Sequence, residues 1–167
     1  MRIGILALQG GFQAHADCLA KQGVSSFYVR TPETLAKSDG LIIPGGESLV
    51  FLRLLQESGL WSALLSYQKP IFGTCAGAIL LSARIRSHQQ PSLKRIAITL
   101  TRNAYGRQTA SEIKTGFCFI TGQTIEMPFI RAPKIESMDS SQVRILAKMN
   151  DEVVGARRSL YRRYFSS

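Results

Sequence analysis

Gly73-Thr74-Cys75-Ala76-Gly77 is the stretch of this chain best suited to chemistry. It lies between an apolar run, Pro70-Ile71-Phe72, and an apolar helical pattern, Ala78-Ile79-Leu80-Leu81. That order reads as strand, sharp turn, helix. Such a turn lifts its central residue above the carboxyl end of a sheet, and glycines on either side let backbone pass without a Cβ clash. The lifted residue is Cys75. A thiol at the start of a helix meets unpaired N–H groups that favour the thiolate, its nucleophilic form. Taken by itself, the pattern also fits a buried cysteine acting as a small hydrophobe in a glycine turn.

The elements around it decide between these readings. Ile3 to Leu8 is a near-continuous apolar run, as a central parallel strand requires. Gln9-Gly10-Gly11 breaks it, and Phe12 to Gln22 reads as a helix closed by Gly23. Ser26 to Val29 is a second strand, and Thr31-Pro32-Glu33 opens a short helix with Thr31 as cap. Leu41 to Ile43 is a third strand. It ends in Pro44-Gly45-Gly46-Glu47-Ser48, and helices are expected from about Leu49 to Glu57 and around Trp61 to Tyr67. Alternating strands and helices with short connections predict an α/β fold: a doubly wound, mostly parallel, flavodoxin-like sheet with helices on both faces. Ligand sites in such sheets lie at the carboxyl ends of the strands. The turns at Gln9-Gly10-Gly11, Gly45-Gly46-Glu47 and Gly73 to Gly77 are expected to gather there around Cys75. After Ala83 the pattern shifts to polar loops and short strands, at Ile96 to Thr101, Ile113 to Ile120, Met127 to Ile130, Val143 to Ala147 and Val153 to Ala156.

Composition narrows the function classes. A chain of 167 residues can bury a substantial core, and no apolar run approaches the length of a membrane span. Cys18, Cys75 and Cys118 are odd in number and widely spaced. That argues against a disulfide framework or a zinc site and points to a reducing cytoplasm. With only two histidines, a metal centre is not expected, nor is any cofactor. The net charge of +10 is carried by the second half, where residues 84–167 hold fifteen Lys/Arg against six Asp/Glu. These cations follow no helix stripe or RNA-reading motif, so a specific nucleic-acid partner is not expected.

Several segments together resemble the glutaminase subunits of pyridoxal phosphate synthase, a branch of the class I glutamine amidotransferases. They are Leu8-Gln9-Gly10, Pro44-Gly45-Gly46-Glu47-Ser48, the elbow at Gly73 to Gly77, Arg102-Asn103-x-x-Gly106-Arg107-Gln108, and Phe129-Ile130-Arg131-Ala132-Pro133. The elbow belongs to glutaminases at large, whereas the last two segments are specific to this branch. Departures are mild: Leu49 follows the GGES turn where Thr is usual, and Ala104 and Tyr105 replace Ser and Phe.

The resemblance implies a glutaminase domain over residues 1–156 that hydrolyses L-glutamine to glutamate and ammonia. Cys75 would be the nucleophile, with the backbone N–H groups of Gly46 and Ala76 forming the oxyanion hole. Gly45, Gly46 and Glu47 would line the glutamine pocket, completed by Arg102, Ile130 and Arg131. The Gln9 loop and first helix would face a separate synthase subunit, which takes the ammonia for vitamin B6 synthesis. The family's general base and its orienting acid come from a late His-x-Glu motif. Here the resemblance lapses after Ala156, and residues 157–167 read as a basic, non-family tail without His or acid, as a truncation or frameshift would leave. His15, though followed by Ala16-Asp17, lies in the first helix, and His88 lies in a polar loop. Three readings therefore stand open: a glutaminase; a catalytically impaired remnant that binds glutamine or the synthase without efficient turnover; and a redox or sensor protein using the Cys75 elbow, against which the Gly45-Gly46 pair and the Arg102 segment speak.

Overall fold

A computed structural model describes residues 1–86, 89–102, 112–129 and 132–159. The chain divides into two compact units, Met1–Leu81 with His88–Leu93, and Ser82–Ser87 with Lys94–Ser167.

The first unit alternates strand and helix as its hydrophobic pattern demands. In order come β1 (Ile3–Leu6), α1 (Phe12–Lys21), β2 (Ser26–Val29), α2 (Pro32–Ala36) and β3 (Gly40–Ile43). Then follow α3 (Ser48–Glu57), α4 (Leu60–Ser66), β4 (Ile71–Gly73) and α5 (Ala76–Leu81). The four strands form one sheet in the order β2-β1-β3-β4, with every neighbouring pair parallel. β1 lies inside, and its consecutive residues Gly4, Ile5 and Leu6 are all buried, which is why its sequence runs apolar rather than alternating. Helices flank the sheet and complete the core: Phe51, Leu55, Leu60, Leu64 and Leu80 are fully buried with Ile5, Val29 and Ile43. Local signals set the ends of these elements. The Thr31 hydroxyl accepts from the Thr34 N–H in a capping box, Pro32 occupies the first turn of α2, and left-handed glycines stand at Gly23 and Gly59.

The second unit is built from strands. It contains β5 (Ser82–Ile85), β6 (Ile96–Thr101), β7 (Glu112–Cys118), β8 (Gln123–Phe129), β9 (Lys134–Met138), β10 (Val143–Met149) and β11 (Glu152–Arg158). β11-β10-β7-β8 form an antiparallel sheet, while β5-β6-β9 form a mixed one. Ile98, Leu100, Val143, Ala147 and Met149 are among its buried residues. β11 runs through Arg157 and Arg158, which stand opposite Arg144 and Val143. Among the described residues, no helix is long and apolar enough to cross a membrane.

Candidate active site

The strand order fixes where a site can form. The chain crosses from β2 on one side of β1 to β3 on the other, so the connections leaving the carboxyl ends of β1 and β3 diverge and open a crevice. Gln9 and Gly10 follow β1, Gly45 to Glu47 follow β3, and Thr74 and Cys75 follow β4.

These three turns interlock. The Gly11 N–H donates to the Gly45 carbonyl at 3.0 Å, and the Gln9 side-chain amide donates to the Glu47 carbonyl at 3.0 Å. Gly10 has φ +81°, and a methyl group on it would sit 1.9 Å from the Gly45 oxygen. Only glycine meets both conditions. A methyl on Gly46 would fall 2.7 Å from the Gln9 amide atoms, so that side chain lies directly on the Gly46 backbone. A methyl on Gly45 would lie 3.3 Å from the Cys75 Cβ, which places the elbow against the Gly45–Gly46 turn.

The elbow itself is tightly drawn. Cys75 is left-handed at φ +48°, a conformation that costs a non-glycine residue about 1–2 kcal/mol. It is held by the hydrogen bonds on either side of it. The Thr74 N–H donates to the Ile43 carbonyl at 3.1 Å, the Gly77 N–H to the Thr74 carbonyl at 2.8 Å, and the Ile79 N–H to the Cys75 carbonyl at 3.1 Å. Gly73 and Gly77 permit this: a methyl on Gly77 would lie 2.1 Å from the Ile43 oxygen, and one on Gly73 would lie 2.6 Å from the Gly77 carbonyl carbon. Cys75 is half-buried rather than part of the hydrophobic interior. Among the described residues, neither the Gly46 nor the Ala76 amide donates to a backbone carbonyl outside the regular elements. Glu47 has a structural task as well: its carboxylate caps α3, accepting from the Leu49 and Val50 N–H groups, both at 3.0 Å.

The expected site residues thus divide into three groups. Gln9, Gly45, Gly46, Glu47, Cys75 and Ala76 all lie in the first unit at the carboxyl ends of its strands. Arg102 belongs to the second unit, directly after β6, and is half-buried. Ile130 and Arg131 lie outside the described residues, as do His88 and residues 103–111. The remaining histidine is the surprise. His15, on α1, places Nε2 3.1 Å from the hydroxyl of Thr74, the residue that precedes Cys75. Its ring meets Phe72 edge-on, with centroids 6.4 Å apart, and partial burial holds its pKa below the usual histidine range. The sequence did carry a signal. Phe12, His15, Ala16 and Leu19 follow helical spacing and form the inward, half-buried stripe of α1, so His15 occupies a position that faces the sheet. Three of its other residues, Gln13, Asp17 and Cys18, are exposed.

A parallel sheet carrying a left-handed cysteine elbow beside a glycine turn defines a class of α/β proteins that present a cysteine at a strand-to-helix turn above the strand ends. The SNO glutamine amidotransferase family model matches residues 5–165, and this chain belongs to that family. The pyridoxal 5'-phosphate synthase subunit PdxT of Koribacter versatilis is 45% identical over 156 residues, covering 92% of this chain and 80% of that protein. The protein of the same name from Methanocorpusculum labreanum is 46% identical over 161 residues, covering 94% and 84%. A solved crystal structure of a glutamine amidotransferase superposes with a TM-score of 0.85 at 35% identity, covering 93% of this chain and 84% of that one.

Proposed function

We propose that this chain is the glutamine-hydrolysing subunit of a pyridoxal 5'-phosphate synthase, releasing ammonia for a partner synthase subunit. The observation that carries the reading is the left-handed Cys75 packed against the Gly45–Gly46 turn, in a chain of the glutamine amidotransferase family. The Cys75 sulfur attacks the side-chain carboxamide carbon of glutamine, and the carbonyl electrons move onto oxygen. The Gly46 and Ala76 amides receive that negative charge. When the carbonyl re-forms, the C–N bond breaks and nitrogen leaves as ammonia, taking up the proton that the thiol gave up. Water then cleaves the γ-glutamyl thioester, giving glutamate and regenerating the thiol.

Gly45, Gly46 and Glu47 form the wall of the glutamine pocket. The Glu47 cap of α3 supports this role, because it ties the pocket wall to a helix rather than leaving it in a free loop. The Gln9 loop lies on the side that meets the synthase. A cytoplasmic setting suits three cysteines that are all free.

The test is ammonia release from glutamine by the purified chain, with and without the synthase subunit. Release that disappears in Cys75→Ala supports the reading, and an undiminished Cys75→Ala variant overturns it. No release by the wild-type chain under either condition, with glutamine still shielding Cys75 from alkylation, would identify a binding subunit without turnover.

A further inference from the structure

The left-handed backbone at Cys75 needs an anchor, because a non-glycine residue holds that conformation only where its surroundings enforce it. Thr74, immediately before it, is tied down at every polar atom. Its N–H donates to the Ile43 carbonyl, its carbonyl accepts from Gly77, and its hydroxyl is hydrogen-bonded to His15 Nε2. The first two ties are backbone bonds within the strand ends and elbow, available to any residue. The third depends on a side chain from α1, 59 positions away in the sequence.

We propose that His15 is a positioning residue for the Cys75 nucleophile: its imidazole clamps the Thr74 hydroxyl and so fixes the peptide that leads into the left-handed elbow. This rests on the reading of Cys75 as the glutaminase nucleophile.

Three observations support it. The Thr74 hydroxyl and the Cys75 Cβ lie on the same side of Gly45, 3.9 Å and 3.3 Å from the point where a methyl on that glycine would sit. A shift of the hydroxyl is therefore felt where the nucleophile meets the glycine turn. The imidazole is itself oriented, meeting Phe72 of the neighbouring β4 edge-on at 85°. Its partial burial also favours the neutral ring. A neutral imidazole and a threonine hydroxyl can bond in either tautomer, since each group can donate or accept. His15 thus fastens the elbow without taking part in proton transfer to substrate.

The experiment follows alkylation of the full-length chain by iodoacetamide, with Cys75 and Cys18 quantified separately by peptide mass spectrometry. Cys18 is exposed on the same helix as His15 and serves as the internal standard. His15→Ala and Thr74→Val should each slow Cys75 alkylation about fivefold, the worth of one ordinary hydrogen bond, with Cys18 unchanged. The double variant should be no slower than either single one, because both remove the same bond. Thr74→Ser, and His15→Gln with an amide nitrogen near the place of Nε2, should stay within about twofold of wild type. Glutamine turnover should fall more in kcat than KM rises, since neither His15 nor Thr74 is itself a residue of the glutamine pocket. Unchanged Cys75 reactivity in Thr74→Val, which is nearly isosteric and decides the matter even if His15→Ala folds poorly, would overturn the proposal. So would additive effects in the double variant. Alkylation needs no turnover, so an effect on Cys75 in a chain that releases no ammonia would uphold the clamp while refuting the glutaminase reading.

Discussion

Two glycines with similar backbone angles and different surroundings allow the interlock beneath the site to be measured. Gly10 and Gly23 are both left-handed, at φ +81° and +68°. Around Gly23 a methyl group would meet nothing within 4 Å, whereas at Gly10 it would strike the Gly45 oxygen at 1.9 Å. Gly23→Ala therefore carries only the left-handed penalty of about 1–2 kcal/mol, partly offset by reduced freedom of the unfolded chain, for a net cost of about 1 kcal/mol. Gly10→Ala carries the same penalty and more. The turn after β3 must move, adding about 1–3 kcal/mol of overpacking, and the Gly11 to Gly45 hydrogen bond is lost for about 1 kcal/mol. The expected difference between the variants is about 3 kcal/mol, or roughly 10 °C in melting temperature for a chain of this size. Paired thermal melts followed by circular dichroism, together with ammonia release, form the assay. Gly10→Ala should also lose activity, because the displaced turn carries Gly46, while Gly23→Ala should keep it. If the two variants melt within about 2 °C of each other, or if Gly10→Ala turns over glutamine normally, the packing of the β1 turn on the β3 turn does not constrain the site.

Two further outcomes follow from the same region. Glu47→Ala removes the carboxylate that caps α3 and should cost about 1–2 kcal/mol in urea unfolding, whereas Glu47→Gln, which keeps an acceptor, should cost less than half of that. A change in KM for glutamine with no change in stability would show that the cap is dispensable and that the side chain serves only the pocket. For His15, burial lowers the folded-state pKa below the usual 6.5. The unfolded chain then binds more protons in that window, so its contribution to stability is present above pH 6.5 and lost as the pH falls through the folded-state value. A His15→Gln variant should lose this part of the acid sensitivity, and identical pH–stability curves for variant and wild type would refute the assignment.

What could be read from the sequence, and what could not, follows from how far each feature reaches along the chain. The alternating elements of the first unit were legible because β1 and β3 are buried runs bounded by glycine turns, and Thr31-Pro32 announces α2 in the local code of caps. The elbow was legible for the same reason: the spacing of Gly73, Cys75 and Gly77 is a local requirement of the turn. Two strands were not legible. β5 and β9 flank β6 at the edges of a three-stranded sheet, and β9, Lys-Ile-Glu-Ser-Met, is polar enough that no period stands out. The apolar run from Ile3 to Leu8 also ends as a strand at Leu6, because the chain must already turn to bring Gln9 over Gly46. The contact between His15 and Thr74 was beyond sequence reasoning of a different kind. His15-Ala16-Asp17 invites attention to the nearby acid, yet on a helix a residue two positions on points away, and Asp17 is exposed and bonded instead to Gln13 at 2.8 Å. Helical spacing places His15 on the inner face, but which residue it meets there depends on the strand order. Because β1 lies between β2 and β3, α1 descends from the end of β1 onto the sheet, within reach of the residue that follows β4. The chemistry of the elbow is therefore encoded locally, whereas its support from α1 is encoded in the topology. For that reason, exchanging His15 tests the fold's contribution to the site in a way that exchanging Cys75 cannot.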